Sequence, residues 1–131
     1  MRKFVFDTSF LFLYFLKIKD AMDILNQVNQ QKAIAYTIYL NISEFFYINM
    51  KHEKREEVGN KINSVMNSPI RIVSLSKRMA LRAGELKAKH DSLSLVDCYI
   101  IALAEAKKAQ VVTSDSGIAN VYQGSVLIRK S

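Results

Sequence analysis

The stretch FVFDTSFLF, residues 4–12, places one carboxylate, Asp7, inside an apolar run that only Thr8 and Ser9 otherwise break. A carboxylate moved out of water without a partner costs several kcal/mol or more. We therefore expect Asp7 to be hydrogen-bonded, neutralised or bound to a cation. The apolar residues before it are typical of a buried strand, so the sequence predicts that Asp7 stands where the first strand ends.

Composition limits the kind of protein. The chain has 131 residues, half of them apolar, which predicts a single domain over residues 1–131 with a real core. There are 19 lysines and arginines against 12 acidic residues, a net charge of +7. That excess favours a polyanionic partner, either nucleic acid or an anionic membrane surface.

The amino terminus resembles a secretory signal peptide but lacks two of its features. The unbroken apolar run over residues 10–16 is far shorter than the roughly 20 residues that cross a bilayer, and no small-residue cleavage site follows it. The lone Cys98 cannot form an internal disulfide. The sequence predicts a cytoplasmic protein with no membrane segment.

Short β-rich runs alternate with helical stretches, the pattern of a parallel sheet joined by helical crossovers. The predicted strands are residues 3–6, 33–36, 71–74, 111–113 and 126–128. The predicted helices are residues 10–16, 20–31, 38–50, 54–66, 77–90, 95–108 and 116–121. The fold class is therefore α/β, with a central parallel sheet of about five strands flanked by helices on both sides.

Four acids stand at positions that solvent alone does not explain. Asp7 and Asp115 follow predicted strands, and ligands of open parallel sheets bind beyond the carboxyl ends of the strands. Glu44 and Asp97 lie on helical segments among apolar neighbours. Each has a structural alternative: Asp7 and Asp115 as helix N-caps, Glu44 at an exposed edge, and Asp97 in a capping box with Ser94.

Taken together, the four acids favour a metal site. Carboxylates brought into one cluster repel one another strongly unless divalent cations lie between them. A donor set of carboxylates and hydroxyls, without paired histidines or cysteines, suits Mg²⁺ or Mn²⁺.

The segments around these acids resemble a known family. FVFDTSF, ISEF, LSLVDCYIIALA and VVTSD, in this order and spacing, resemble the PIN domain family of metal-dependent ribonucleases, most closely its VapC-type toxins. The resemblance covers almost the whole chain and implies a PIN-like fold, endoribonuclease activity with Mg²⁺ or Mn²⁺, and products ending in 5′-phosphate and 3′-hydroxyl. It also implies a cognate antitoxin, in a type II toxin-antitoxin pair, and a homodimer.

The resemblance assigns roles residue by residue. The catalytic acids are Asp7, Glu44, Asp97 and Asp115, and the supporting hydroxyl residues are Thr8, Ser9, Thr113 and Ser114. We expect Asp7 and Asp97 to bind the metal directly, and Glu44 and Asp115 either to bind it or to orient its waters. Ser116 and Gly117 follow the last acid where many relatives carry another acid or polar residue, which favours one Mg²⁺ site over two.

Basic residues are the candidates for contacts with the RNA backbone. They are Lys51, Arg55, Arg78, Arg82, Lys87 and Lys89, with Lys54 and Lys77 beside them.

Three other functions remain open at this point. One is a non-catalytic RNA-binding or scaffold module with the same fold, and another is a housekeeping RNA-processing nuclease. The third, a phosphatase like the haloacid dehalogenases, is disfavoured because that chemistry needs an acid two residues after the nucleophile, where this chain has Ser9.

Overall fold

The apolar segment before Asp7 forms the central strand of the sheet. In the computed structural model, which describes residues 1–129, this strand is β1 (Arg2–Phe6). Phe4, Val5 and Phe6 are all completely buried. A strand covered on both faces reads as a continuous apolar run rather than an alternating one, and residues 4–6 show that pattern.

The other elements follow along the chain with these bounds: α1 (Thr8–Phe15), α2 (Lys19–Asn29), β2 (Ala33–Thr37), α3 (Tyr39–Met50), α4 (Arg55–Met66), β3 (Arg71–Ile72), α5 (Lys77–Lys89), α6 (Leu95–Lys107), β4 (Gln110–Thr113), α7 (Ser116–Val121) and β5 (Ser125–Leu127). No helix within residues 1–129 is both long enough and apolar enough to cross a membrane.

The five strands form one parallel sheet in the order β3-β2-β1-β4-β5. From β1 the chain builds outward to β2 and β3 on one side, and it later returns to add β4 and β5 on the other. The strand order therefore reverses between β1 and β4. In open α/β sheets, this is where the crevice for a ligand opens, at the carboxyl ends of the strands.

Two apolar clusters hold the helices to the two faces of the sheet. Phe4 and Phe6 pack with apolar residues of α1, α2, α3 and α4 on one face. Val5, which points the opposite way, packs with residues of α5, α6 and α7 on the other. The fold is thus a single α/β domain of three layers, as the sequence predicted.

Several element ends differ from the prediction by a few residues. The first helix begins at Thr8 rather than at residue 10, because the Asp7 side chain accepts the Phe10 N–H and caps it. The third strand was predicted over residues 71–74 but has only two residues. One further bond, from Val73 N–H to the Thr37 carbonyl, extends the pairing before the chain leaves the sheet.

Candidate active site

Asp7 lies at the reversal point of the sheet, directly after β1, and is 4% exposed. Its Oδ1 accepts hydrogen bonds from Ser9 Oγ at 2.7 Å and from the Phe10 N–H at 3.0 Å. Its Oδ2 accepts one from Thr113 Oγ1 at 2.5 Å. The N-cap role that the sequence left as an alternative and the burial of the carboxylate are therefore both present in the same side chain.

These hydrogen bonds do not offset the burial of the charge. Burial raises the pKa of Asp7 to about 6, although the bonds from Ser9, Thr113 and Phe10 lower it, and the negative charge of Asp97 raises it further. Near neutral pH an ionised Asp7 is therefore held at a free-energy cost, which a nearby cation would offset.

Hydroxyl groups tie the end of β4 to the end of β1. Ser9 Oγ accepts the Ser114 N–H at 2.8 Å and lies 3.2 Å from Thr113 Oγ1. Thr113 Oγ1 also accepts the Asp115 N–H at 2.9 Å. Two of the four predicted hydroxyl residues, Ser9 and Thr113, thus bond Asp7 directly, and Ser114 joins them through its backbone N–H.

Glu44 lies on α3 and is half-buried. Its Oε1 accepts the hydroxyl of Thr8 at 2.6 Å, and the Oγ1 of Thr8 in turn accepts the side-chain amide of Asn41 at 2.9 Å. Sequence reasoning did not identify Asn41. The only available signal was its position one helical turn before Glu44, on the same face of α3.

Asp97 occupies the first turn of α6 in a complete capping box. Its N–H donates to Ser94 Oγ at 3.1 Å, and its carboxylate accepts the Ser94 N–H at 3.2 Å. Burial raises the pKa of Asp97, the bonds from Ser94 lower it, and the charges of Asp115 and Glu44 raise it further. Capping and participation in the acidic site are therefore compatible.

Asp115 caps α7, with its Oδ1 accepting the Gly117 N–H at 2.7 Å, and its side chain is exposed. It is thus the most solvated of the four acids. The N-cap role that the sequence left as an alternative is present here as well.

Electrostatic interactions link the four acids. The charges of Asp115 and Glu44 act on Asp97, and the charge of Asp97 acts on Asp7. These residues lie far apart in the sequence, so the fold gathers negative charge at the carboxyl edge of the sheet. In a protein with a net charge of +7, such a concentration indicates a specific site rather than a general surface.

The donor set fits a hard divalent cation. Within residues 1–129, no group of three or more His, Cys, Asp or Glu side chains is arranged to hold a metal ion. Mg²⁺ does not require one, because it usually keeps several waters and is held by one or two carboxylates. The carboxylates of Asp7, Glu44, Asp97 and Asp115 are oxygen donors of the kind that such a hydrated ion binds.

The predicted basic residues lie on different elements of the structure. Lys87 and Lys89 are in the last turn of α5, which leads directly into the first turn of α6 and Asp97. Lys87 Nζ donates to the carbonyls of Asp91 and Leu93 at 2.8 and 2.7 Å, so it holds this loop. Lys89 is exposed.

Arg82 is paired with Glu105 near the other end of α6. Its Nε and Nη2 lie 2.7 and 2.9 Å from the Glu105 carboxylate oxygens. Eight residues of helix separate Glu105 from Asp97, which is about 12 Å. Arg82 and Arg78 line a groove of about 460 Å³ between α5 and α6 that includes Glu105 and none of the four acids.

Lys51 and Arg55 flank the α3–α4 junction. The Nζ of Lys51 lies 5.6 Å from the ring centroid of Tyr47, and the guanidinium of Arg55 lies 4.9 Å from that of Phe46. This junction is at the end of α3 opposite its first turn, a helix length away from the carboxyl edge of the sheet.

The family model for the PIN domain matches residues 4–124 of the chain. The chain therefore belongs to the PIN domain family, as the four acidic segments indicated. A search of curated protein sequences gave no significant match.

Similar solved structures include VapC toxins. A chain of VapBC2 from Rickettsia felis, solved bound to a DNA fragment from its promoter, is 18% identical with a TM-score of 0.76, over 96% of this chain and 97% of that one. Mycobacterium tuberculosis VapC20, a sarcin-ricin loop cleaving toxin, is 16% identical with a TM-score of 0.76, over 96% and 98%. DNA-bound VapBC from Salmonella typhimurium is 16% identical with a TM-score of 0.73, over 98% of both chains. At these identities the likeness establishes the shared fold.

Proposed function

We propose that the protein is a metal-dependent endoribonuclease of the VapC type, the toxin of a type II toxin-antitoxin pair. The observation that supports the proposal is that four carboxylates whose charges act on one another belong to the elements around the point where the strand order reverses, within a PIN domain. The structural likeness to VapC toxins supports the toxin role in particular.

Four side chains are proposed as the catalytic acids: Asp7, Glu44, Asp97 and Asp115. Asp7 and Asp97 would hold Mg²⁺ or Mn²⁺ directly, while Glu44 and Asp115 would bind the ion or orient its waters. A bound divalent ion in such a site supplies Lewis-acid polarisation of the scissile phosphate and a more acidic water nucleophile.

Hydrogen bonds within the protein hold the proposed metal ligands in position. Thr113 and Ser9 hold the Asp7 carboxylate by both oxygens, and the Ser94 capping box holds Asp97 on α6. Side chains held in one rotamer in this way lose little conformational entropy when they bind a ligand. Asp115, the most exposed acid, is the one best placed to accept a proton from a solvent-side water.

RNA is proposed to approach over the end of α5. Lys89 is exposed beside the loop that leads to Asp97, so its ammonium is available to a phosphate. Arg82 is paired with Glu105, and Arg78 lies with it away from the acids. We therefore rank Lys89 first among the backbone-binding candidates.

The proposal also includes two protein partners and a cellular compartment for the protein. Large apolar residues at least half exposed, apart from the terminal methionine, are Leu16, Tyr39, Tyr47, Leu81 and Leu95. We propose a second copy of this chain and a cognate antitoxin as the protein partners, the antitoxin because similar chains come from VapBC complexes. The site of action would be the cytoplasm.

The test is cleavage of a mixed-sequence RNA by the purified protein with Mg²⁺, with Mn²⁺ and with a chelator. The proposal expects cleavage that needs the metal.

A further inference from the structure

Asn41 is buried beside the acidic site with half of its amide unused. The residue is 1% exposed and lies in the first turn of α3, one turn before Glu44. Its Nδ2 donates to Thr8 Oγ1 at 2.9 Å. Among residues 1–129, its Oδ1 is the one buried side-chain oxygen or nitrogen that has no hydrogen-bond partner.

The hydroxyl of Thr8 explains this orientation of the amide. A threonine hydroxyl has a single hydrogen, and here it is donated to Glu44 Oε1 at 2.6 Å. Thr8 Oγ1 can therefore only accept from Asn41, so the amide must turn its NH₂ group toward Thr8. The opposite amide orientation would draw the Thr8 hydrogen away from Glu44.

Stability alone disfavours asparagine at this position. A buried carbonyl oxygen without a donor costs free energy, which an apolar side chain of similar shape avoids. What the asparagine provides is a fixed direction for the Thr8 hydrogen, and thus for one oxygen of Glu44. Unsatisfied buried groups of this kind call for a specific explanation in a native structure.

We propose that Asn41 is a positioning residue of the acidic site: by donating to Thr8 it keeps the Thr8 hydrogen on Glu44 and so fixes how Glu44 presents its carboxylate to a divalent cation or to the waters of that cation. The inference rests on the proposed metal-dependent function. It adds a residue that acts through Thr8 and does not itself contact the reacting atoms.

A double-mutant cycle with metal affinity as the readout tests this relay. The dissociation constant for Mn²⁺ is measured by calorimetry on the full chain, without RNA, for wild type, Asn41→Leu, Thr8→Val and the double variant. Asn41→Leu is expected to weaken Mn²⁺ binding about tenfold, the usual scale for residues that orient metal ligands. In the Thr8→Val background, the same change should alter the constant by less than about twofold, because the relay is already broken.

Two further readouts separate positioning from a loss of folding. Asn41→Leu is expected to unfold at the same urea concentration as wild type or a higher one, since it removes the unpaired oxygen. In RNA cleavage it should lower kcat while leaving KM unchanged. Asn41→Ala takes the place of the leucine variant in the same cycle if the larger side chain prevents folding.

Asn49 provides the matched control. It is also a buried asparagine of α3, but its Nδ2 donates to the Phe45 carbonyl at 2.7 Å, within the helix and not to a site residue. Asn49→Leu should leave the Mn²⁺ dissociation constant within about twofold of wild type, whatever it does to stability.

Three results would overturn the inference: an unchanged Mn²⁺ affinity in Asn41→Leu, an equal loss of affinity in both backgrounds, or a wild type that binds no Mn²⁺. A wild type that binds Mn²⁺ and shows the expected cycle, but leaves RNA uncut, would contradict the proposed nuclease activity and leave the positioning role intact.

Discussion

Thr113 donates its hydroxyl to the carboxylate of Asp7 across 106 positions of sequence, at 2.5 Å. The bond joins the ends of β1 and β4, the two strands between which the strand order reverses. It therefore links the architecture of the sheet to the protonation of its most buried acid.

Removing that hydroxyl should destabilise the protein mainly when Asp7 is ionised. Thr113→Val is expected to lower the free energy of unfolding by about 2 kcal/mol at pH 7.5, the usual scale for a hydrogen bond to a charged group. At pH 5, where Asp7 is mostly protonated, the loss should be smaller. Urea denaturation at both pH values measures the difference, and Thr113→Ser, which keeps the hydroxyl, serves as the control. An equal loss at both pH values would mean that the bond does not depend on the charge of Asp7.

Metal-free protein should lose stability as the pH rises from about 4 to about 6. The pKa of Asp7 is raised from 3.8 to about 6 in the fold, so between these values the folded state binds more protons than the unfolded state. The stabilisation is fully present below the unfolded pKa and is lost as the pH passes the folded one. Its size is on the order of 3 kcal/mol.

The comparison with Asp7→Asn isolates this effect. The variant has no carboxyl group at position 7, so its free energy of unfolding in chelator should fall less over the same range. The raised pKa of Asp97 acts in the same direction in both proteins. Parallel pH profiles for the two proteins would show that Asp7 titrates normally.

Lys89 should contribute to RNA binding through charge. Lys89→Ala is expected to weaken binding and to lower the slope of log affinity against log salt by roughly one, as for the loss of a single phosphate contact. Lys32→Ala is the matched control, because Lys32 is an exposed lysine at the start of β2, on the opposite edge of the sheet. Identical salt slopes for the two variants would remove Lys89 from the RNA path.

The isolated chain should be a dimer in solution. Tyr39 and Tyr47, two turns apart on α3, are both more than half exposed, and apolar area of this kind favours burial between copies. Sedimentation over a concentration series should give about twice the mass of one chain at the upper concentrations. A monomer throughout the series would contradict the dimer.

Much of the fold could be predicted from the sequence because the apolar patterns are strong. The run at residues 4–6 predicted a buried strand, and the four acidic segments predicted the family. The start of α1 was placed two residues late because an Asp7 side chain that caps a helix looks the same in sequence as one that only ends a strand.

The details of the site were harder to predict because they depend on three-dimensional contacts. Nothing in the sequence around Asn41 says that its amide meets Thr8, which lies 33 positions away. The basic residues of α5 look equivalent along the chain. In the structure Arg82 is paired with Glu105, whereas Lys89 is exposed in the last turn of α5, before the loop that leads to α6.

The central claim is that the four converging carboxylates form a metal-dependent ribonuclease site, and Asp97→Asn tests it most directly. Asparagine keeps the N–H that bonds Ser94 and can still accept the Ser94 N–H, so α6 should retain its cap while the charge is lost. The measurement is cleavage of 5′-labelled mixed-sequence RNA by wild type and Asp97→Asn, with Mg²⁺, with Mn²⁺ and with chelator. We predict cleavage by wild type with either metal, none in chelator, and at least a hundredfold slower cleavage by the folded variant, roughly the scale of losing a major catalytic group. Equal cleavage by the two proteins, or cleavage that continues in chelator, would contradict the account.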